Sequence, residues 1–110
     1  MSDRELLELA AKAARLDIYW PDYGNGSPYV RIPKTPASFR WNPLADEGAA
    51  LRLAVNLGIN LEIGEIGSGD VQAGKQDHWA CEWLGADDPH AAVRRAIVRA
   101  AAALAEREGG

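Results

Sequence analysis

The residues around position 50 constrain the fold of this chain more than any others, because they mark where a helix begins and ends. The turn dipeptide Asn42-Pro43 comes first, and Asp46 and the acid after it then place negative charge at the start of an apolar-periodic run. The run stops at Gly58, the residue type that most readily adopts the left-handed conformation at a helix C-terminus. The sequence therefore predicts a helix over 46–57.

Hydrophobic periodicity divides the rest of the chain into further helices and strands. Ser2 and Glu5 have the spacing of a capping box, and Asp88-Pro89 is a strong helix start. The predicted elements are helix 3–15, strands 17–20 and 29–32, an irregular segment over 33–39, helix 46–57, strands 59–63, 71–73 and 78–84, and a helix from 88 to 109 with a narrow apolar stripe. Their order, αββαβββα, predicts an α+β fold in which three helices pack on one face of a mostly antiparallel sheet of about five strands.

The last predicted strand alternates large apolar residues with polar or small ones. Trp79, Cys81 and Trp83 fall on one face, and His78, Ala80 and Glu82 fall on the other. Because tryptophan carries the larger apolar surface, we expect the face with Trp79 and Trp83 to be core. Trp41, next to the central helix, is also predicted to be core.

Composition indicates a globular protein. The chain has 110 residues, of which 47% are hydrophobic and 25% are charged, and we expect a single α+β domain over residues 1–110. Cys81 is the single cysteine, so no intrachain disulfide forms, and the cytoplasm is the compartment expected. No apolar run reaches the length of a membrane span and no export signal is visible, so we expect no membrane partner.

Charge is distributed unevenly along the chain. Residues 23–45 contain three basic residues and no acidic one, whereas residues 60–88 contain seven acidic residues against Lys75 alone. This asymmetry is typical of a surface that steers a charged partner, although a mixed solvated surface also produces it.

The basic stretch is also aromatic, with six of the eight aromatic residues lying between positions 19 and 41. Tyrosine and arginine dominate binding hot spots because they desolvate large areas and still form hydrogen bonds. The residues expected to contact a partner protein are Tyr23, Tyr29, Arg31, Lys34 and Arg40. The alternative is that the aromatic cluster is structural.

A second interpretation is nucleic-acid binding through the last helix. Arg94, Arg95 and Arg99 lie on that helix, and the latter two are one turn apart, a spacing suited to phosphates. The alternative is that these arginines solvate the helix and pair with nearby acids. The acidic overall composition favours that alternative.

Metal binding and catalysis have little support in the sequence. His78 and Cys81 are predicted on opposite sheet faces, and His90 lies apart from them, so no tetrahedral zinc site is expected. A thiol between two core tryptophans is expected to be inert. We therefore expect no cofactor and no enzymatic activity; an enzyme or small-ligand binder without a recognisable motif would instead need a deep pocket.

Three blocks of the chain, residues 3–14, 40–54 and 88–102, resemble small uncharacterised proteins encoded in tailed-phage and prophage genomes of proteobacteria. In the order of these blocks the chain is more distantly similar to the NinX-like phage proteins. The family has no established catalytic residues to transfer. The resemblance implies a phage or prophage accessory protein that binds an unknown host or phage macromolecule in the bacterial cytoplasm.

Overall fold

Helix α1 (Asp3–Ala13) begins the computed structural model, which describes residues 2–21, 26–65, 69–76, 78–85 and 88–109. Its N-terminus has the predicted capping box: the Glu5 N–H donates to Ser2 Oγ over 3.2 Å, and the Glu5 carboxylate accepts from the Ser2 N–H over 3.4 Å. The helix is shorter than the predicted 3–15 because Arg15 adopts a positive φ of 58°. The chain then turns toward the first strand.

The first sheet contains three short antiparallel strands in chain order: β1 (Ile18–Tyr19), β2 (Tyr29–Arg31) and β3 (Ser38–Arg40). The predicted hairpin of β1 and β2 is confirmed, but its turn lies partly outside the described residues. β3 falls in the segment predicted to be irregular. Pro33 and Pro36 explain that difference, because both lie in the connection before β3, where a missing N–H removes no ladder hydrogen bond.

Helix α2 (Glu47–Leu57) forms where the sequence predicts it. Asp46 caps it, since its Oδ1 accepts from the Gly48 N–H over 3.1 Å. Gly58 ends the helix with a φ of 69°, and the Ile59 N–H returns to the Ala54 carbonyl over 2.9 Å. The chain therefore leaves the helix with Ile59 packed in the core.

The second sheet is a longer antiparallel meander of β4 (Asn60–Ile63), β5 (Asp70–Lys75) and β6 (His78–Trp83). The α+β class is confirmed, but the prediction of about five strands in one sheet is wrong, because the described residues form two three-stranded sheets. Short connections favour pairing between consecutive strands, and α2 separates the two groups of strands along the chain. The element order is therefore αβββαβββα.

Helix α3 (Pro89–Gly109) is the central element, contacting α1, α2, β5 and β6. Asp88 caps it by accepting from the Ala91 N–H over 3.1 Å. The buried surface of α3 is wider than the narrow apolar stripe that was predicted. A helix with neighbours on several sides buries residues around most of its circumference. Its buried residues are Ala92, Ala96, Ile97, Val98, Ala100, Ala101, Ala102 and Ala105.

The faces of β6 are the reverse of the prediction. Trp79 and Trp83 are 43% and 60% exposed, and Cys81 between them is exposed, whereas Ala80 is buried. The reason is the small side chains along α3, which let the helix approach the sheet closely and leave room for Val71 and Ala73 of β5 and Ala80 of β6. Indole rings do not fit in that space, so they occupy the outer face.

Candidate functional site

The first sheet brings aromatic and basic side chains from three strands to one side. Tyr19 pairs with Tyr29, Tyr29 pairs with Arg40, and Arg31 pairs with Ser38. Directly opposed residues of an antiparallel sheet share a face, and residues two apart on β2 share it too. We call this surface the tyrosine face; its members are Tyr19, Tyr29, Arg31, Ser38 and Arg40.

The centre of the tyrosine face is held by contacts among its own side chains. The rings of Tyr19 and Tyr29 stack with centroids 5.8 Å apart and an interplanar angle of 26°. The Arg31 guanidinium carbon lies 4.5 Å from the Tyr19 ring centroid, and the hydroxyl groups of Tyr19 and Ser38 share a hydrogen bond of 3.0 Å. These contacts fix the rings before any partner arrives.

The edges of the face are also anchored. Arg31 Nη1 lies 3.0 Å from Asp17 Oδ1, and the Arg31 N–H donates to the Asp17 carbonyl over 2.9 Å. At the other side, Arg40 Nη2 donates to the buried Ser27 hydroxyl over 3.3 Å. Asn42 Nδ2 donates to the same hydroxyl over 3.0 Å, so Ser27 joins the face to the turn before α2.

The structure brings together three of the five residues predicted to contact a partner. Tyr29, Arg31 and Arg40 lie side by side, whereas Lys34 is exposed in the connection between β2 and β3, with a positive φ of 66°. Tyr23 lies outside the described residues. Trp41 is core as predicted, with 5% of its surface exposed.

Tyr19 and Ser38 also belong to the face, although neither is among the residues predicted to contact a partner. Tyr19 belongs to the predicted hairpin, and the alternation along β1 and β2 would have identified it once the Tyr19–Tyr29 register was known. Ser38 was hidden because β3 itself was not predicted. Both residues contribute hydroxyl groups that contact each other.

The tyrosine face is electropositive. Residues 23–45 contain no acidic residue, so the carboxylate that contacts the face comes from Asp17, at its margin. An arginine has five donors in a planar fork, and one monodentate carboxylate leaves several of them unused. The chemistry offered is therefore aromatic stacking with hydrogen-bond donation to acceptors and negative charges.

The arginines of the nucleic-acid alternative all have partners within the protein. Arg94, whose side chain is 14% exposed, donates to the Leu44 carbonyl over 2.9 Å and lies 3.2 Å from Glu47 and 3.6 Å from Asp88. Arg95 pairs with Asp3 over 3.0 Å. Arg99 contacts Glu82 and donates to the Cys81 carbonyl over 3.0 Å. The three side chains join α3 to its neighbours.

The residues considered for metal binding do not meet. His78 lies on the helix side of β6, Cys81 lies on the opposite side, and His90 Nδ1 lies 2.7 Å from a Glu47 oxygen. Within the ranges that the structure describes, no three His, Cys, Asp or Glu side chains are grouped as a metal site requires.

A groove of about 410 Å³ between α3 and β6 is relevant to the small-ligand alternative. Its polar lining comes from His78, Arg99 and Glu106, and neither a cysteine nor a serine is among its described lining residues. Desolvation and the adjacent Asp70 both raise the pKa of the Cys81 thiol, which lowers its thiolate fraction. The geometry therefore offers no nucleophile with an activating base in this groove.

Comparisons with protein-family models, with curated proteins and with solved structures find no match to the chain. In the described part of the chain, no helix combines the length and apolar character needed to cross a membrane.

Proposed function

We propose that the protein is a non-catalytic accessory protein of a phage or prophage, acting in the cytoplasm of the bacterial host by binding a macromolecule through the tyrosine face. The observation that carries the binding role is the convergence of Tyr19, Tyr29, Arg31 and Arg40 from three strands onto one side of a sheet. The phage origin is supported by the resemblance of the three sequence blocks, at 3–14, 40–54 and 88–102.

The partner surface that fits this face is acidic and protein in nature. Arg31 and Arg40 both have unused donors, and Lys34 adds a third positive charge in the adjoining turn. Carboxylates accept charge-assisted hydrogen bonds from guanidinium groups, which are stronger than hydrogen bonds between neutral groups. Tyrosine rings supply apolar contact area with little conformational entropy to lose.

Prior ordering of the side chains favours binding energetically. The Tyr19–Tyr29 stack and the Arg31 guanidinium over Tyr19 are already formed in the free protein. Ordering a long side chain at an interface costs about 0.5–1.5 kcal/mol of free energy, and this cost is smaller for a side chain that is already held in place.

The test is affinity capture from a proteobacterial lysate with the immobilised protein and with the triple variant Tyr29→Ala/Arg31→Ala/Arg40→Ala. We expect the wild type to capture proteins that high salt elutes and that the triple variant does not retain, because screening weakens exposed charge pairs. A captured set that is the same for both proteins would show that the tyrosine face is not the binding surface.

A matched control separates the face from the loss of charge in general. Lys12, Arg52 and Arg107 are exposed basic residues on the three helices and belong to neither sheet. The variant Lys12→Ala/Arg52→Ala/Arg107→Ala should retain the captured proteins. Thermal unfolding of both variants establishes that they are folded before capture is compared.

A further inference from the structure

The outer side of the second sheet carries a surface opposite in charge to the tyrosine face. Register and alternation place Glu62 of β4, Asp70 and Gln72 of β5, and Trp79, Cys81 and Trp83 of β6 on the side away from α3. We call these six residues the tryptophan face. Two indoles that are 43% and 60% exposed on one open sheet are an unusual apolar surface for a free protein.

Both indole rings lie against glycines. A methyl group at Gly74 would lie 2.8 Å from Cδ2 of Trp79, and one at Gly85 would clash with the six-membered ring of Trp83. Trp79 is further held by its Nε1–H, which donates to the Gln76 carbonyl over 2.8 Å. The rings therefore pack onto the backbone and remain exposed on their outer sides, where another molecule has access to them.

The tryptophan face is acidic. Glu62 and Asp70 are exposed, and in the described part of the chain neither has an ion-pair partner within 4.0 Å, the distance limit for such pairs. No basic residue belongs to the face. An indole attracts a cation through its ring quadrupole, so the rings and the carboxylates favour the same partner, one that carries arginine or lysine.

Each face carries two like charges on neighbouring strands. Arg31 lies two residues after Tyr29, which pairs with Arg40, and Asp70 lies two residues before Gln72, which pairs with Glu62. Both are diagonal pairs on neighbouring antiparallel strands, along opposite diagonals, and diagonal neighbours are about 7–8 Å apart. Each face therefore presents two like charges to one partner surface.

We propose that the tryptophan face of one molecule binds the tyrosine face of a second copy of the same chain. The inference rests on the proposed function, since it names a partner for the same tyrosine face. Arg31 and Arg40 pair with Asp70 and Glu62 across the interface, while tyrosine and tryptophan rings contact each other between the ion pairs. Arg31 keeps its hydrogen bond to Asp17 in this interface, because a guanidinium group has enough N–H donors for two carboxylates.

The complementarity requires contact between unlike faces. Two tyrosine faces brought together would oppose arginines, and two tryptophan faces would oppose carboxylates, so neither like-with-like pairing is favoured. Unlike faces can meet reciprocally in a two-fold dimer, or they can meet head to tail, which leaves one free face at each end and builds rings or open chains of molecules.

Sedimentation velocity on the full chain tests the proposal. We expect the weight-average mass in low-salt buffer to rise at least twofold between micromolar and millimolar protein, and to return to the monomer value in high salt. The variant Arg31→Glu/Arg40→Glu and the variant Glu62→Lys/Asp70→Lys should each stay monomeric, because each presents like charges to the other face.

Mixing the two charge-reversed variants supplies the decisive control. Each variant then finds a face of opposite charge on the other, so the mixture should associate although neither variant does so alone. This rescue also shows that both variants are folded. Alkylation of Cys81 should slow severalfold in the mixture, because the thiol lies within the tryptophan face.

Three results would overturn the proposal: a wild type that is monomeric at millimolar concentration in low salt, self-association that both variants retain, or a mixture that stays monomeric. Retained self-association would point instead to the apolar groove lined by Leu51, Leu61 and Ile63. These outcomes are distinct from failure of the proposed function, which is seen in the lysate capture. If the wild type stays monomeric but still captures proteins through the tyrosine face, that face binds another acidic protein.

Discussion

Cys81 shows how immediate neighbours decide the chemistry of one residue. The thiol lies on an exposed sheet face, which would favour reactivity, but desolvation raises its pKa and the negative charge of Asp70 raises it further. The predicted burial of the thiol between tryptophans is wrong, and its inertness stays a prediction that now rests on the raised pKa.

The variant Asp70→Asn should make Cys81 more reactive. Removing the negative charge lowers the pKa of the thiol, so the thiolate fraction at mildly alkaline pH rises and alkylation by iodoacetamide is severalfold faster. The rate should be measured as a pH profile, which is expected to move to lower pH as a whole. Glu62→Gln, which removes a charge on the same face at a residue that does not raise the pKa of Cys81, is the control, and equal effects of both variants would contradict the assignment.

Helix ends are the elements that the sequence specifies most completely. Ser2, Asp46 and Asp88 each cap the helix that follows them, and Gly58 ends α2 in the left-handed conformation. These signals are local, because a cap involves residues at most a few positions apart. β3 lacked such a signal, and its pairing with β2 depends on how the intervening prolines turn the chain.

The variant Gly58→Ala should destabilise the protein by about 1 kcal/mol, because a Cβ is unfavourable in the left-handed conformation. Strain rather than crowding is the cause, since the nearest atom to that Cβ would be Lys75 Nζ at 3.7 Å. Urea unfolding monitored by tryptophan fluorescence measures the change. Gly48→Ala in the same helix is the matched control; there alanine should be neutral or stabilise by about 0.5–1 kcal/mol. Equal destabilisation by both would contradict this explanation.

For the whole molecule, α3 is the element that holds the others together. Arg94 joins it to Glu47 of α2 and to the Leu44 carbonyl, Arg95 joins it to α1, and Arg99 joins it to β6. The residues that suggested phosphate binding are thus engaged in tertiary contacts. Arg94 has the least exposed of these three side chains, and its loss would leave the part-buried Leu44 carbonyl without its hydrogen-bond donor, which costs free energy.

Arg94→Ala should therefore cost more stability than Arg95→Ala. Arg94 is 14% exposed and contacts three groups, so its loss is expected to cost about 2 kcal/mol, whereas the single exposed pair of Arg95 contributes below about 1 kcal/mol. Thermal and urea unfolding of both variants give the comparison. If the two variants lost equal stability, the tertiary role assigned to Arg94 would be wrong.

The sequence by itself determined the three helices, their caps, the first hairpin and the acid-free aromatic stretch, because each depends on residues close together in the chain. It placed Tyr29, Arg31 and Arg40 in the right region but could not show that β3 aligns them with Tyr19. Only the tertiary structure decided that the strands form two sheets and that Trp79 and Trp83 face outward. Alternation determines which residues share a face, but the close approach of α3 determines which face is buried, and small side chains are the ones that fit there.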